Sequence, residues 1–353
     1  MRTLLNRHDK IPFPENDQIH FMQQALLEGR KGLGLTSPNP PVGAIIVDDN
    51  GEILGRGFHS KAGTAHAEVK AINDVIEKFG PDRLRGTNLF VTLEPCSTQG
   101  KTPPCCEAII RSGIRRVFAA IDDPNPDHAG AAAAILNEKG VSVTTGILEE
   151  DAKYLIRFFQ KRIETGKPWV IAKTAMTLDG HTTLPPERGQ WISGLESRDD
   201  VQHLRRQCDA ILVGGETVRT DDPMLTLRGK YAEGREQPER IVVTAVKDLP
   251  LRAKIFNDKH AHRTHVYHAQ KLESILDDLG RRGICSVLME SGGSLFSHAI
   301  GRKLIDEVVF YMAPIIGGGP NTVMPVSGIM ADLEDLSVEM IGRDIRVTAR
   351  VVK

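Results

Sequence analysis

The sequence has no marked excess of charge and no dense block of basic residues. Its 353 residues include 45 Lys and Arg against 46 Asp and Glu, so the formal net charge is −1. Proteins that bind polyanions or acidic membrane surfaces usually carry clustered positive charge. We therefore expect a protein that binds neither nucleic acid nor a membrane.

Cysteine and long apolar runs are scarce as well. The chain has five cysteines, an odd number, and three of them cluster between positions 96 and 106. Disulfide frameworks are typical of short secreted chains with an even number of cysteines, so we expect reduced thiols and a cytoplasmic location. Residues 1–16 are charged and contain Pro12 and Pro14, unlike a signal peptide or a membrane span. We expect them to form a short flexible extension.

The length and pattern of the chain predict two α/β domains. A chain of 353 residues exceeds what one hydrophobic core usually organises. Over residues 17–150, a helix capped by Asp17 and a hairpin at Asn50-Gly51 precede alternating strands and helices, which predicts a mixed sheet covered on both faces. Residues 151–167 are charged, and we expect them to connect the domains. The pattern restarts over residues 168–353, and since no internal repeat is visible, the two domains should differ.

Three residues of the first domain have the types and spacing of a catalytic zinc site. His66, Cys96 and Cys105 offer one imidazole and two thiolates, and helices are predicted to begin at His66 and at Cys105. Three protein ligands leave the fourth tetrahedral position for water, whereas a structural zinc site normally fills all four. Glu68 is then placed to shuttle a proton from water to a leaving amine. Cys106 is the rival of Cys105, but adjacent helical residues point about 100° apart, so only one of them can reach the metal.

Other interpretations of these residues stay open at this point. Cytosolic cysteines can be redox-active or simply buried, and a zinc ion can be structural, with the second domain serving as an interaction module. Deaminases of nucleic acids share the histidine, glutamate and cysteine pattern, but they usually carry a tighter cysteine pair and a basic or aromatic strand-binding surface. Aromatic residues make up only 5% of this chain. A protein in which only one half is active is the remaining alternative.

Three polar residues accompany the zinc motif. Asn39 lies in a proline-rich turn, where its amide can bind a sugar hydroxyl or a base edge, or merely form an Asx turn. His59 can face a substrate or only decorate the predicted hairpin. Lys101 lies in the loop before Cys105, where it suits a phosphate, although a solvated surface charge is the alternative.

Polar and glycine-rich loops follow the predicted strands of the second domain. These segments start at Lys173, Gln190, Thr217 and Leu225, and in open α/β sheets this edge carries the ligand. The segment Glu290-Ser-Gly-Gly-Ser294 turns from a predicted strand directly into a helix, where exposed backbone N–H groups can bind a diphosphate. A glycine-rich turn of this kind is often only a turn.

Several motifs together resemble a known family. In chain order they are Asn39-Pro-Pro-Val-Gly43, His66-Ala-Glu68, Glu94-Pro-Cys96, Gly100-Lys-Thr-Pro-Pro-Cys105 and Asp122-Asp-Pro-Asn-Pro126. They resemble the bifunctional riboflavin-biosynthesis deaminase/reductase family, and the likeness extends over essentially the whole chain. Thr98, Ala132 and Ile156 depart from the family pattern.

The resemblance implies a fold class and two reactions. It implies an N-terminal cytidine-deaminase-like three-layer α/β/α domain and a C-terminal α/β domain similar to dihydrofolate reductase. The first would deaminate 2,5-diamino-6-(5-phosphoribosylamino)pyrimidin-4(3H)-one, and the second would use NADPH to reduce the ribosyl side chain. The implied cofactors are one Zn²⁺ and NADPH, and the implied substrates are phosphorylated pyrimidines. We also expect the chain to form a homo-oligomer.

The resemblance further implies roles for residues in both domains. In the deaminase domain, Glu68 is the catalytic residue, and Asn39, His59 and Lys101 contact the substrate. In the reductase domain, the implied substrate positions are Gly189, Arg205, Leu225, Arg228 and Glu290. The implied cofactor positions are Ala175, Trp191, Thr217, Asp221, Gly292, Gly293 and Ser294. The two arginines also suit a phosphate chemically, because a guanidinium group binds phosphate bidentately.

Overall fold

The computed structural model describes residues 13–98, 103–125, 129–189, 191–317 and 329–353. The chain divides into two compact units, Met1–Glu164 and Thr165–Lys353, and each builds its own sheet. No helix within the described ranges is both long and apolar enough to cross a membrane. Most of the predicted flexible extension, up to position 12, lies outside the described residues.

A five-stranded sheet forms the centre of the first unit. In chain order the helices and strands are α1 (Glu15–Arg30), β1 (Gly43–Val47), β2 (Ile53–Phe58), α2 (Ala67–Phe79), β3 (Asn88–Val91), α3 (Cys105–Ser112), β4 (Arg116–Ala119), α4 (Ala131–Glu138), β5 (Ser142–Thr144) and α5 (Glu149–Thr165). The strand order is β2-β1-β3-β4-β5. Strand β1 is antiparallel to both of its neighbours, whereas β3, β4 and β5 are parallel, which confirms the predicted mixed sheet.

Two glycines let helices approach this sheet closely from both sides. A Cβ added at Gly43 would lie 2.0 Å from the backbone oxygen of Ala25 in α1, and one added at Gly57 would lie 2.3 Å from that of Ala67 in α2. Gly57 pairs with Ala44, the residue after Gly43, so the two glycines stand on opposite faces of the sheet. The layers are therefore α/β/α, and the first turn of α2 is held directly against β2.

An eight-stranded sheet forms the centre of the second unit. In chain order the helices and strands are β6 (Trp169–Thr177), α6 (Leu195–Gln207), β7 (Ala210–Gly214), α7 (Gly215–Asp221), β8 (Glu239–Thr244), α8 (Lys254–Asn257), β9 (Thr264–His268), α9 (Leu272–Arg281), β10 (Ser286–Glu290), α10 (Gly293–Gly301), β11 (Glu307–Ala313), β12 (Leu333–Ile341) and β13 (Asp344–Val351). The strand order is β12-β13-β11-β6-β10-β7-β8-β9. The six strands from β11 to β9 are parallel, and β12 and β13 add an antiparallel hairpin.

The N-terminal helix starts earlier than predicted. Helix α1 begins at Glu15, because Pro14 takes the N-cap position and its carbonyl accepts the Asp17 N–H at 3.0 Å. The predicted N-cap at Asp17 is therefore wrong. Asp17 lies inside the first turn, where its negative charge stabilises the helix.

Two segments of the second unit also differ from the sequence-based predictions. Thr217 to Asp221 belongs to helix α7 and not to a loop, because Val218 is buried in a hydrophobic cluster and anchors the short helix. The sequence predicts a final hairpin over residues 337–352 that turns at Gly342-Arg343-Asp344, but strand β12 already begins at Leu333. A register irregularity between Glu334 and Ser337, with Asp335 at a φ of 53°, interrupts the alternation of apolar residues at this end of the strand.

Helix α5 covers most of the segment predicted to connect the domains. Ala152, Leu155 and Ile156 are buried and belong to the hydrophobic core of the first unit. Glu150 and Asp151, in the first turn of this helix, are exposed, whereas Arg157 is buried and donates to Tyr154 O at 2.8 Å. This segment is therefore an amphipathic helix that completes the first core.

Candidate active sites

His66, Cys96 and Cys105 meet in the first unit. His66 is the N-cap residue of α2, and Cys105 is the first residue of α3. Their ligand atoms lie within 4.8 Å of one another, with His66 Nδ1 3.2 Å from Cys105 Sγ and 3.5 Å from Cys96 Sγ. Hydrogen bonding by Cys105 lowers the pKa of the Cys96 thiol to about 4, and thiolate is the form that binds metal. One imidazole and two thiols at this spacing fit a zinc ion.

Cys106 lies in the hydrophobic core, not in this cluster. Its thiol is 1% exposed, and its Sγ lies 4.0 Å from the carbonyl oxygen of Pro95. Burial raises the pKa of Cys106 to about 12, so the side chain remains a neutral apolar group. The helix register thus places Cys105, and not its neighbour, beside His66.

Glu68 is buried next to the three candidate ligands. It lies in the first turn of α2, two residues after His66, and is 3% exposed. Burial raises the pKa of the Glu68 carboxyl, and the negative charge of Cys96 raises it further. A carboxyl with a raised pKa is suited to taking up a proton and releasing it again.

His59 connects Asn39 to the cluster. It is 2% exposed, its Nε2 lies 3.2 Å from Asn39 Nδ2, and its Nδ1 lies 3.3 Å from Ala65 O. Burial lowers the pKa of His59, so the ring is neutral, donating from Nδ1 to the carbonyl and accepting at Nε2 from the amide. The ring also packs edge-on against His66, with centroids 5.1 Å apart. Lys101, the third predicted substrate residue, lies outside the described residues.

Glu94 is a functional candidate that the sequence reasoning did not include among the site residues. Its carboxylate is buried and accepts backbone N–H groups from Asp123 at 3.1 Å, Gly130 at 2.9 Å and Ala132 at 3.0 Å. These charge-assisted bonds tie the segment after β4 to the turn that carries Cys96. The available signal was its place in the Glu94-Pro-Cys96 motif.

The predicted residues of the second unit include one from each of three neighbouring strand ends. Ala175 lies near the end of β6, Thr217 follows β7 within α7, and Glu290 ends β10. Because β10 lies between β6 and β7, the carboxyl ends of these strands are neighbours. This is the edge at which open α/β sheets bind ligands.

Arg205 and Glu290 form a buried ion pair at this edge. Arg205 Nε and Nη2 donate to the Glu290 carboxylate at 2.5 and 3.0 Å, and Nη1 donates to Thr226 O at 3.2 Å. Burial alone would raise the pKa of Glu290, but Arg205 outweighs it and the pKa lies below its usual value. Lys173 pairs with Glu290 in the strand register, and burial lowers the pKa of its amine. The guanidinium group of Arg205 is thus bound to a carboxylate, whereas Arg228 is exposed.

Helix α10 begins with the glycines predicted to face a cofactor diphosphate. Gly292 is its N-cap residue, Gly293 has a φ of 66°, and Ser294 is exposed. A Cβ added at Gly293 would meet no atom of the described residues within 4 Å, so the space before the helix is open. Backbone N–H groups at a helix N-terminus favour an anion. The residues present therefore fit the diphosphate of NADPH.

The other predicted residues of the second unit are exposed, except for Leu225. Trp191 is 59% exposed, and the Arg198 guanidinium lies 4.8 Å from the centre of its ring. Gly189 is exposed with a φ of 85°, and Asp221 is exposed at the end of α7. Leu225 is buried in a hydrophobic cluster and has a φ of 49°, so only its backbone is suited to contact a ligand.

Two family models match the chain. The model for the cytidine and deoxycytidylate deaminase zinc-binding region matches residues 15–121. The model for the RibD C-terminal domain matches residues 168–347. The candidate metal ligands fall in the first match, and the strand ends of the second sheet fall in the second.

Known proteins resemble the chain over nearly its whole length. The riboflavin biosynthesis protein RibD of Synechocystis sp. is 36% identical, with 93% of this chain and 95% of that protein covered. The protein of the same name from Escherichia coli (strain K12) is 34% identical, with 88% and 91% covered. Among solved structures, Acinetobacter baumannii RibD gives a TM-score of 0.86 at 34% identity, with 96% and 100% covered. A diaminohydroxyphosphoribosylaminopyrimidine deaminase/5-amino-6-(5-phosphoribosylamino)uracil reductase from Thermotoga maritima gives 0.84 at 33% identity, with 96% and 99% covered.

Proposed function

The chain belongs to the RibD family of riboflavin-biosynthesis proteins, and we propose that its two units catalyse two successive reactions. The first is hydrolytic deamination of 2,5-diamino-6-(5-phosphoribosylamino)pyrimidin-4(3H)-one. The second is reduction of the ribosyl side chain, giving 5-amino-6-(5-phosphoribitylamino)uracil. The protein is thus a hydrolase and an oxidoreductase that uses zinc and NADPH. The observation that carries this conclusion is the meeting of His66, Cys96 and Cys105 beside the buried Glu68.

We assign one activity to each stretch of the chain. The deaminase occupies residues 17–150 and the reductase residues 168–353; residues 151–167 connect them, and helix α5 within this connector packs on the core of the first unit. The matches to residues 15–121 and 168–347 support this division. The five cysteines, all within the described residues, form no disulfide, which supports a reducing compartment such as the cytoplasm.

In the deaminase, His66, Cys96 and Cys105 would hold the zinc, which lowers the pKa of water so that a nucleophile exists near neutral pH. Glu68 takes the proton of the attacking water on its carboxylate and delivers it to the leaving amino group. A carbon–oxygen bond forms at C2 of the pyrimidine, the carbon–nitrogen bond breaks, and ammonia leaves. Burial of Glu68 keeps its carboxyl in the right place for both transfers.

Asn39 orients the substrate in this proposal. Its amide nitrogen donates to His59, so its oxygen is the atom presented to a donor such as a ribose hydroxyl. His59 fixes this orientation through its own bond to Ala65 O, and we assign it to the substrate side of the site for that reason. Lys101 is assigned to the substrate phosphate, as its charge suggests.

In the reductase, NADPH supplies the hydride and the protein supplies orientation. Gly292, Gly293 and Ser294 receive the cofactor diphosphate at the start of α10. The remaining cofactor positions are Ala175, Trp191, Thr217 and Asp221. On the substrate side, Arg228 binds the phosphate, while Arg205 holds the Glu290 carboxylate where it can accept hydroxyl groups of the ribosyl chain. Gly189 and the backbone of Leu225 complete the substrate side.

One incubation tests both reactions. The purified protein is incubated anaerobically with the diaminopyrimidine phosphate, with and without NADPH, and the products are resolved by mass. We expect the deaminated product alone without NADPH, and the deaminated and reduced product with it. Release of ammonia from single-stranded DNA or tRNA, but not from the pyrimidine phosphate, would instead identify a nucleic-acid deaminase. Deamination without any NADPH-dependent product would reject the second activity.

We also propose that the protein forms a homo-oligomer through the edge strand β12. Leu336, Val338 and Met340 alternate along this strand and are 63%, 60% and 64% exposed. An apolar stripe on the outer strand of a sheet favours pairing with another copy. Sedimentation of the full chain should show an oligomer that Val338→Glu weakens. A monomeric wild-type protein at high concentration would contradict the proposal.

A further inference from the structure

Helix α6 links the two sides of the proposed reductase site. Trp191, a proposed cofactor residue, lies just before the helix, and its ring contacts Arg198 in the second turn. Arg205 lies in the last turn and holds Glu290, a proposed substrate residue. The position of this one helix therefore sets the positions of groups on both sides.

The start of α6 is capped by a residue that lies far away in the sequence. The N-cap residue of the helix is Gly194, which has no side chain to accept the first N–H groups. Asp344, the first residue of β13, supplies an acceptor for one of these N–H groups. Its Oδ2 accepts the Gly194 N–H at 2.7 Å and the Ser197 hydroxyl at 2.6 Å, across 150 and 147 residues.

The Asp344 side chain is fully buried. It and Ser197 are both 0% exposed. Its second oxygen, Oδ1, is buried and has no hydrogen-bond partner among the residues that the structure describes. Arg343 Nε lies 3.7 Å from Oδ1, beyond hydrogen-bond distance. Burying a carboxylate costs free energy unless strong bonds offset it, so the two bonds to α6 are the hydrogen bonds that stabilise the Asp344 side chain.

A second contact holds α6 from strands β11 and β13. The Tyr311 hydroxyl, on β11, donates to Asp200 Oδ2 at 2.5 Å, and Arg346 Nη1, on β13, lies 3.3 Å from the same oxygen. Tyr311 is 0% exposed. Asp200 lies in α6 between Ser197 and Arg205, so the helix is fixed at its start and near its middle by side chains of β11 and β13.

We propose that Asp344 is a positioning residue of the reductase. It touches neither proposed ligand. It holds the start of α6, and with it Trp191 and the Arg205–Glu290 pair, in the geometry that binds NADPH and the pyrimidine together. The inference rests on the proposed reductase function. It assigns the C-terminal hairpin, which lies outside the strands whose ends form the site, a direct part in the alignment of that site.

The test compares three variants of the full chain. Asp344→Leu keeps the approximate volume and removes both acceptors. Asp344→Asn keeps a carbonyl oxygen that can accept both bonds and should restore most of the function. Ser197→Ala removes a single bond and is the milder variant. Asp332→Leu, an exposed aspartate just before β12, is the matched control.

Two measurements separate positioning from simple stability. The first is the KM for NADPH and for the deaminated pyrimidine, each of which should rise on the order of tenfold in Asp344→Leu because two charge-assisted bonds are lost. The second is acrylamide quenching of Trp191, the only tryptophan left in a Trp169→Phe background. Quenching should increase in Asp344→Leu and return to the background value in Asp344→Asn. Deamination by the same samples should not change.

Each outcome supports or overturns the proposal. A lower melting temperature with unchanged KM values and unchanged quenching would make Asp344 merely structural. Loss of function in Asp344→Asn equal to that in Asp344→Leu would overturn the role of the two accepted bonds. If Asp344→Leu does not fold, Ser197→Ala decides, with a severalfold rise of both KM values expected and no rise overturning the proposal. A wild-type protein without reductase activity would reject the proposed function, and the quenching series would still decide whether Asp344 holds the Trp191 segment.

Discussion

The two candidate sites are built in opposite ways. In the first unit, the candidate ligands meet at two helix N-termini, and Glu68 beside them is 3% exposed. In the second unit, the proposed cofactor groups are spread over strand β6, helix α7, the start of α10 and the segment before α6, and Trp191 is 59% exposed. A buried cluster acts as a unit, so removing any member should abolish its function. An open edge shares binding among many groups, so single changes should cost less.

The largest loss of activity is expected when a candidate metal ligand is replaced. Cys105→Ser should abolish zinc binding and deamination, because a catalytic zinc site has only three protein ligands. Cys106→Ser should retain both, since that thiol lies in the core with a raised pKa. Metal analysis and ammonia release in the two purified variants decide the matter. Loss of zinc from Cys106→Ser with retention in Cys105→Ser would show that the wrong neighbour had been assigned.

The next effect is the loss of the proton carrier. Glu68→Gln should bind zinc normally, because Glu68 is not a ligand, and should deaminate about 10²–10⁴ times more slowly. Reduction of supplied deaminated substrate should be unchanged, which gives an internal control in the same sample. Near-normal deamination by this variant would remove Glu68 from the mechanism and weaken the contrast between the two sites.

A change on the open edge should be smaller. Arg228→Ala should raise the reductase KM for the phosphorylated substrate, with little effect on NADPH affinity. The expected loss of binding free energy is about 1.5–3 kcal/mol, the contribution of one hydrogen bond to a charged group. Arg281→Ala, an exposed arginine at the end of α9, is the control and should leave both unchanged. A change of similar size in both variants would mean that the effect comes from general charge and not from a phosphate contact.

A comparable effect on the cofactor side is expected from Gly293→Val. The branched side chain of valine would fill the open space before α10. A valine would also be strained at the φ of 66° that Gly293 adopts, so NADPH affinity should fall by about tenfold. Gly283→Val is the matched control, because Gly283 also has a positive φ, 87°, and open space for a Cβ, but lies after α9. Titration of NADPH by fluorescence measures both. Equal loss in the control would attribute the effect to strain alone.

The smallest effect should come from a residue that supports the zinc turn without touching the metal. Glu94→Gln replaces a carboxylate by a neutral amide, and hydrogen bonds to a neutral acceptor are roughly half as strong. Deamination efficiency should fall a few-fold, with normal zinc content and a normal reductase. Glu107→Gln, exposed on α3, is the control. Loss of zinc in Glu94→Gln would show that the residue controls the ligands themselves and not the segment after β4.

Much of the fold could be predicted from the sequence, because most strands are buried and therefore apolar. The mixed sheet of the first unit followed from the hairpin at Asn50-Gly51 and the alternating segments after it. The first residues of β12 were missed because a register irregularity between Glu334 and Ser337 interrupts the alternation of apolar residues there. The order of the second sheet was out of reach, since pairing such as that of β6 with β10 depends on contacts between residues far apart in the chain.

The two candidate sites also differ in how well the sequence predicts them, because residue types are visible in a sequence and contacts between distant residues are not. The chemistry of His66, Glu68, Cys96 and Cys105 can be read from their residue types and their order in the chain. His66, Glu68 and Cys105 also lie at predicted helix starts. The partner of Arg205 could not be read from the sequence, because Glu290 is 85 residues away and a guanidinium suits a phosphate equally well. The same holds for Glu94, whose bonds to backbone N–H groups depend on loop geometry and not on residue type.

The position of β6 in the second sheet affects how the chain folds during translation. Its neighbours are β10 and β11, and Thr174 of β6 bonds to Ser291, 117 residues later. At about 5–20 residues per second, a ribosome leaves this apolar strand without either neighbour for roughly 6–23 s. The strands β1 and β2, in contrast, pair as consecutive segments. We therefore expect the deaminase half to fold while the rest is still being translated, and the nascent segment Val170–Ala172 to be the one that most needs a chaperone.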